Sequence, residues 1–192
     1  VGGSTSARSE TGVGEVELYF VKANEWVTIQ PLQQPRFDTA VCAYQGQMYV
    51  CGGYHKGTLS SVEQFNVITR RRGVAPNMLT SRASAAHASA ADAGLFILGG
   101  FGSDGKALAS VERFDHEKQL WVAVKPMTTP RARATAVILD GKIYVVGGVS
   151  SNRGAAAVVL VTCESYDLKS HEWCACPDLP FPMRIVGAST EG

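Results

Sequence analysis

Phe96-Ile97-Leu98-Gly99-Gly100, then Val111-Glu112-Arg113-Phe114, then Trp121 and at last Pro130-Arg131 is the stretch whose reading decides the fold. An apolar run closes on two glycines, a glutamate and an aromatic follow one residue apart, and a tryptophan precedes a proline-arginine pair. The same order returns on both sides of it. The second glycine of a pair falls at Gly3, Gly53, Gly100 and Gly148, in steps of 50, 47 and 48 residues. Glu-x-aromatic comes after each pair, at Glu17 and Tyr19, Glu63 and Phe65, Glu112 and Phe114, Glu164 and Tyr166. Nine residues past each glutamate stand Trp26, Arg72, Trp121 and Trp173. Arg36, Arg82 and Arg131 follow ten residues later, and Arg184 follows Trp173 by eleven. A constant period of about 50 residues makes each repeat one supersecondary unit, and it outranks local propensity.

Within a repeat the elements are strands. Residues 41–51, 95–98 and 136–146 are rich in β-branched and aromatic side chains, and Gly46, Gly94 and Gly141 mark turns between paired strands. Glutamate and aromatic in Glu-x-aromatic share one strand face, because side chains alternate with period two. Each repeat is predicted to be four short antiparallel strands.

Together the glycine pairs, Glu-x-aromatic, tryptophans and arginines closely resemble kelch repeats over nearly the whole chain. The resemblance implies an all-β kelch β-propeller, here a partial ring of about four blades of four strands. Its repeat phases are expected at 1–30 (partial), 31–76, 77–125, 126–177 and 178–192 (partial). In that family the Gly pair closes the second strand, Glu-x-aromatic lies on the third and Trp on the fourth. By the same resemblance, the tryptophans fill the wedge between blades, and the repeated arginines and glutamates tie strands and adjacent blades together as partly buried charge pairs. A residue present in every blade serves what every blade needs, so these are read as structural. Arg72, standing where Trp is expected, is read as facing water with Arg70 and Arg71 in a solvated hairpin. Closed propellers commonly need five to seven blades, so missing repeats are expected to lie outside this sequence; the alternatives are two chains that complete each other, or an arc with exposed edges open to self-association.

Gross composition narrows the function classes. With 18 Lys+Arg against 17 Asp+Glu the net charge is +1, so no basic field is present to hold a phosphate backbone, and nucleic acid is not expected as a partner. The longest apolar run, residues 155–161, is far short of the roughly 20 needed to span a bilayer, and no membrane association is expected. Cys42, Cys51, Cys163, Cys174 and Cys176 are odd in number and read as free thiols, which points to a cytoplasmic protein.

Specificity is expected where the repeats differ, since loops on a rigid scaffold carry it. From the second glycine to the glutamate the gaps are 14, 10, 12 and 16 residues, whereas glutamate to the Trp position is always nine. In an antiparallel blade the start of strand one and the end of strand two lie at the same end, so the variable loop and the segment after the repeated arginine share one face of the disc. Carried over by position from the family, the candidate partner-binding residues are Ser4, Asp38, Tyr54, His55, Ser84, Phe101 and Arg133, with Asn152 in the longest loop. Arg133 is the strongest, because a second arginine two residues past Arg131 has no repeated duty and its forked donors suit a carboxylate or carbonyl. Tyr54 and Phe101 are read as rigid aromatic anchors. Of the long loop, residues 158–161 are expected to join the third strand.

No catalytic residues, cofactor or metal site are expected. The histidines His55, His87, His116 and His171 sit at unlike positions, no nucleophile motif is present, and His171, Cys174 and Cys176 fall short of the four ligands of structural zinc. Copper oxidases resembling galactose oxidase also carry kelch propellers and form the enzyme alternative. The spelling Leu59-Ser60-Ser61-Val62-Glu63 and Pro126 to Arg131 looks most like the kelch domains of BTB-kelch proteins. That resemblance implies a protein-interaction module recognising the substrate of a ubiquitin ligase; actin binding, or a regulatory kelch segment of a larger protein, is the alternative.

Overall fold

The computed structural model describes residues 1–4, 11–151 and 158–182. Among these residues the regular structure is strand throughout, and no helix is long and apolar enough to cross a membrane. The strands group into one two-stranded and three four-stranded antiparallel sheets, each running in chain order from its first strand to its last. The first sheet pairs β1 (Glu17–Phe20) with β2 (Glu25–Thr28). The second is β3 (Ala40–Tyr44), β4 (Gln47–Cys51), β5 (Val62–Asn66) and β6 (Arg72–Val74). The third is β7 (Ala86–Ala90), β8 (Gly94–Leu98), β9 (Val111–Asp115) and β10 (Leu120–Val124), and the fourth is β11 (Thr135–Leu139), β12 (Lys142–Val146), β13 (Cys163–Asp167) and β14 (Glu172–Cys176). These residues thus form three complete blades and the third and fourth strands of another. The lone first strand expected near Arg184 falls outside the described residues.

The sheets stand side by side as an open arc, with β7 packed against both β3 and β11, so the first strand of each blade lines the axis. Among the second strands β8 is buried over its full length and β4 nearly so, whereas β12 of the last described blade alternates between buried and half-buried. Fourth strands form the rim and alternate with solvent, as in β14. Two-residue turns with positive φ at both positions, Gln45-Gly46 and Asp140-Gly141, close the first hairpins of the second and fourth sheets, matching the twist of paired strands. The hairpin between third and fourth strands is equally uniform: Asn24, Arg70, Gln119 and His171, each seven residues past the repeat glutamate, all adopt φ between 52° and 60°. This shared backbone shape explains the invariant nine-residue spacing.

Arg36, Arg82 and Arg131 are each wholly buried inside their own blade. Arg131 Nη1 donates to the carbonyls of Gly147 (2.8 Å) and Thr162 (3.0 Å), and Nη2 donates to Thr162 Oγ1 and to Glu164 Oε1 at 2.7 Å. Glu164 also accepts from the Thr128 and Thr129 amides, pinning the lead-in loop onto the third strand. Arg36 with Glu63 and Arg82 with Glu112 repeat the arrangement. Burial lowers the pKa of the Arg36 and Arg82 guanidinium groups, and the paired glutamates oppose that shift. The link between blades is therefore not the ion pair but the same arginine's main chain: the Arg82 carbonyl accepts from Gly53 N, and the Arg131 carbonyl from Gly100 N, each in the preceding blade.

Tryptophans fill the wedge as expected in two cases. Trp121 packs with Phe114 at 5.2 Å among residues of the preceding blade, and its indole donates to the Pro76 carbonyl at 3.0 Å; Trp173 donates likewise to the Lys125 carbonyl at 2.8 Å. Trp26 meets Tyr19 at the same 5.2 Å, yet it is 68% exposed where Trp121 is 4%, since the described residues place no blade against it.

Arg72 corrects the sequence reading. It does not simply face water: Nη1 donates to the Pro31 carbonyl at 3.2 Å, one residue past the position whose carbonyl the indoles use in later blades, and lies 3.5 Å from Glu63. A long donor-bearing side chain at the tryptophan position reaches the same lead-in segment that the indoles bond, which composition alone does not reveal. Arg70 is also engaged, with its guanidinium 4.6 Å above the Phe20 ring, and Arg71 is exposed. Arg72→Ala is expected to cost about 1 kcal/mol, since half-exposed ion pairs contribute little, whereas Trp121→Ala should cost about 3–5 kcal/mol for a large buried ring. Urea unfolding of the two variants measures the difference, and equal losses would contradict the assignment.

Candidate functional site

Three residues at matching positions, Asp38, Ser84 and Arg133, lie two past each structural arginine and have φ of 52°, 53° and 53°. Non-glycine residues pay for this left-handed conformation, so its repetition marks a backbone that the fold imposes. Ser84 N donates to the Asp38 carbonyl at 2.7 Å and Arg133 N donates to the Ser84 carbonyl at 2.8 Å, forming a main-chain path from blade to blade at one end of the axis. The backbone is constant; the side chains are an acid, a hydroxyl and a base. Ser84 Oγ donates to Asp38 Oδ2 at 2.9 Å, while Arg133 is exposed and lies 5.6 Å above the Phe101 ring.

Beside this path runs a groove of about 630 Å³ with Asp38, Tyr54, Phe101 and Arg133 in its walls, together with Phe37 and Lys56. Tyr54 is half-buried and tilts against Phe37 at 5.4 Å, while its backbone bridges to Phe37 on one side and Thr58 on the other. Four of the candidate residues are thus brought together as the common-face argument expected. Phe101 differs from a protruding anchor: at 5% exposure it is the groove's floor, held in a small apolar cluster with Ala132 and Val149. His55 turns away to accept a hydrogen bond from Gly12 N at 3.3 Å, and Ser4 is exposed just beyond Gly3. Asn152 lies outside the described residues.

Residues 158–161 do not join the third strand, which begins at Cys163. Val159 bridges to Val149, Ser150 N donates to the Val158 carbonyl and Leu160 N to the Gly148 carbonyl, so this segment folds back over the end of the second strand. The backbone groups exposed beyond the Gly pair are paired locally before the third strand starts. Sequence reasoning missed Lys56 and the turn at Gly102, Ser103 and Gly105 that completes the groove. The available signal was their place at the tips of the variable loops.

Among the described residues no group of three or more His, Cys, Asp or Glu is placed to hold a metal ion. Cys174 is exposed, and Cys176 faces Cys163 across the strand pair.

Comparison with known proteins agrees with this architecture. A family model described as the kelch motif matches residues 35–79, 85–128 and 130–180. Beta-scruin of Limulus polyphemus is 27% identical over 91% of this chain and 20% of its own length. Kelch-like protein 35 of Mus musculus is 28% identical over 91% of this chain and 29% of its own, and Kelch-like protein 36 of Rattus norvegicus is 28% identical over 96% and 31%. The chain therefore spans less than a third of these relatives. The solved structure of YjhT superposes with a TM-score of 0.74 at 14% identity, covering 88% of this chain and 60% of that one, a likeness of fold. With the family's motif matched over three repeats that coincide with three complete blades, the chain belongs to the kelch-repeat family.

Proposed function

We propose that this chain is a non-enzymatic protein-recognition module whose binding face is the groove beside Asp38, Ser84 and Arg133. One observation carries the reading: three backbone positions of identical conformation, linked across blades, display three different chemistries. A scaffold that is constant where it folds and varied where it faces solvent suits recognition. Phe37, Tyr54 and Phe101 give the groove an aromatic lining, and Arg133 and Lys56 add positive charge. A partner segment with an apolar side chain flanked by a carboxylate fits both features.

The similarity to Kelch-like proteins 35 and 36 supports the finer reading, recognition of a ubiquitin-ligase substrate by a cytoplasmic BTB-kelch-type adaptor. The test is capture of partners from the source cell by wild-type, Arg133→Ala and Tyr54→Ala domains. Each variant should lose at least about tenfold in affinity, the loss of one well-placed interface contact, at unchanged melting temperature. Binding equal to wild type by both variants would overturn the site. Ubiquitination of a captured partner that depends on the full-length protein supports the adaptor; co-sedimentation with filaments that Arg133→Ala abolishes would replace it with actin binding.

A further inference from the structure

The five thiols occupy two unlike settings. Cys42 and Cys51 lie on the central strands β3 and β4, almost wholly buried, with Cys42 opposite Tyr49 and Cys51 opposite Ala40. Cys163 and Cys176 stand directly opposite one another, at the first residue of β13 and the last of β14. Opposed side chains of an antiparallel pair leave the same face of the sheet with Cβ atoms about 4.5–5.5 Å apart, and a disulfide asks for about 3.5–4.5 Å. The remaining closure is small. It falls on β14, which is hydrogen-bonded on one side only and ends at Cys176. Both thiols are half-buried and within reach of a small reagent. Cys174, on the same face of β14, is opposite Ser165 and has no thiol across from it.

We propose that Cys163 and Cys176 are a redox modification site, a thiol pair that a small disulfide such as oxidised glutathione converts reversibly into a cross-strand disulfide. The Cys176 thiolate attacks one sulfur of glutathione disulfide, forming a mixed disulfide and releasing one glutathione thiolate, which takes up a proton. Cys163 then gives its proton to solvent and attacks the Cys176 sulfur, expelling the second glutathione. Two protein thiols are oxidised and one glutathione disulfide is reduced to two thiols, so electrons and protons balance. Burial, reinforced by the neighbouring Cys176, pushes the Cys163 thiol up to about 11, which makes Cys163 the resolving partner and its step faster as pH rises. Cys163 also sits between Thr162 and Glu164, both bonded to Arg131. The disulfide therefore ties that buried clamp to the rim strand.

The test is incubation of the purified chain in glutathione buffers from reducing to oxidising, followed by non-reducing peptide mapping and thermal unfolding. Expected are a Cys163–Cys176 linked peptide, a melting temperature raised by several degrees, reversal of both by excess dithiothreitol, and unmodified Cys42 and Cys51. Cys176→Ser should abolish both the link and the rise, and Cys174→Ser should leave both intact. Should Cys176→Ser fold poorly, Cys163→Ala in the same assay removes the same link. Glutathione adducts on Cys163 and Cys176 without a link, a link only between two chains, or preferential joining of Cys163 to Cys174 would each overturn the proposal.

Discussion

Arg131→Ala is expected to destabilise the chain by about 3–5 kcal/mol, the cost of removing one member of a buried, hydrogen-bonded ion pair. The residue is 1% exposed and its two Nη groups donate to Gly147, Thr162 and Glu164; without it the Glu164 carboxylate stays buried with only backbone and hydroxyl donors from Thr128 and Thr129. Arg133→Ala, two residues on, should stay within about 0.5 kcal/mol, since an exposed side chain is removed and alanine bears the same backbone strain. Arg133→Gly should even gain slightly, because glycine adopts φ of 53° without penalty. Urea denaturation of the three variants gives the comparison. Replacing Arg131 and Glu164 together by apolar residues should cost less than Arg131→Ala alone, a coupling that a double-mutant cycle reads directly. If Arg133→Ala proves the more damaging variant, the structural and recognition roles assigned here are exchanged.

Gly99→Ala is the second large effect, expected at about 4 kcal/mol, a size reserved for a specific structural conflict. Two penalties combine. Gly99 has φ of 63°, which alone costs a substituted residue about 1–2 kcal/mol. A Cβ there would also overlap the carbonyl oxygen of Arg131 in the next blade and press on the Leu108 carbonyl and the Met127 methyl at about 3.1 Å. The Arg131 carbonyl cannot retreat without giving up its 2.9 Å bond from Gly100 N, the stitch between blades. Gly46→Ala separates the two terms, since φ there is 72° and no atom lies within 4 Å of the added carbon. It should lose only the strain, about 1–2 kcal/mol. Similar losses for both variants in thermal or urea unfolding would show that the contact between blades is not what the Gly pair protects.

These two pairs of variants also mark where sequence and structure divide. The repeat period, the alternation within Glu-x-aromatic and the constant nine-residue hairpin are local properties, written in spacing, and they determined the four-stranded blades; that the ion pairs of Arg36, Arg82 and Arg131 stay within one blade was left to the tertiary structure. The shared face also followed from antiparallel topology, and the family's positions, carried over by resemblance, put Asp38, Tyr54, Phe101 and Arg133 on it before their contacts were known. Burial and partner choice depend on the neighbouring blade, and spacing says nothing of that neighbour's surface. Only the tertiary structure decided that Arg72 bonds the Pro31 carbonyl, that Phe101 is floor, and that Lys56 belongs to the groove. The reverse holds at Trp26, whose repeat position promises a filled wedge but which stays exposed where no described blade meets it. Cross-strand register is tertiary in the same sense: that Cys163 faces Cys176 was settled by strand pairing, since two residues thirteen apart meet only once the hairpin between them has closed.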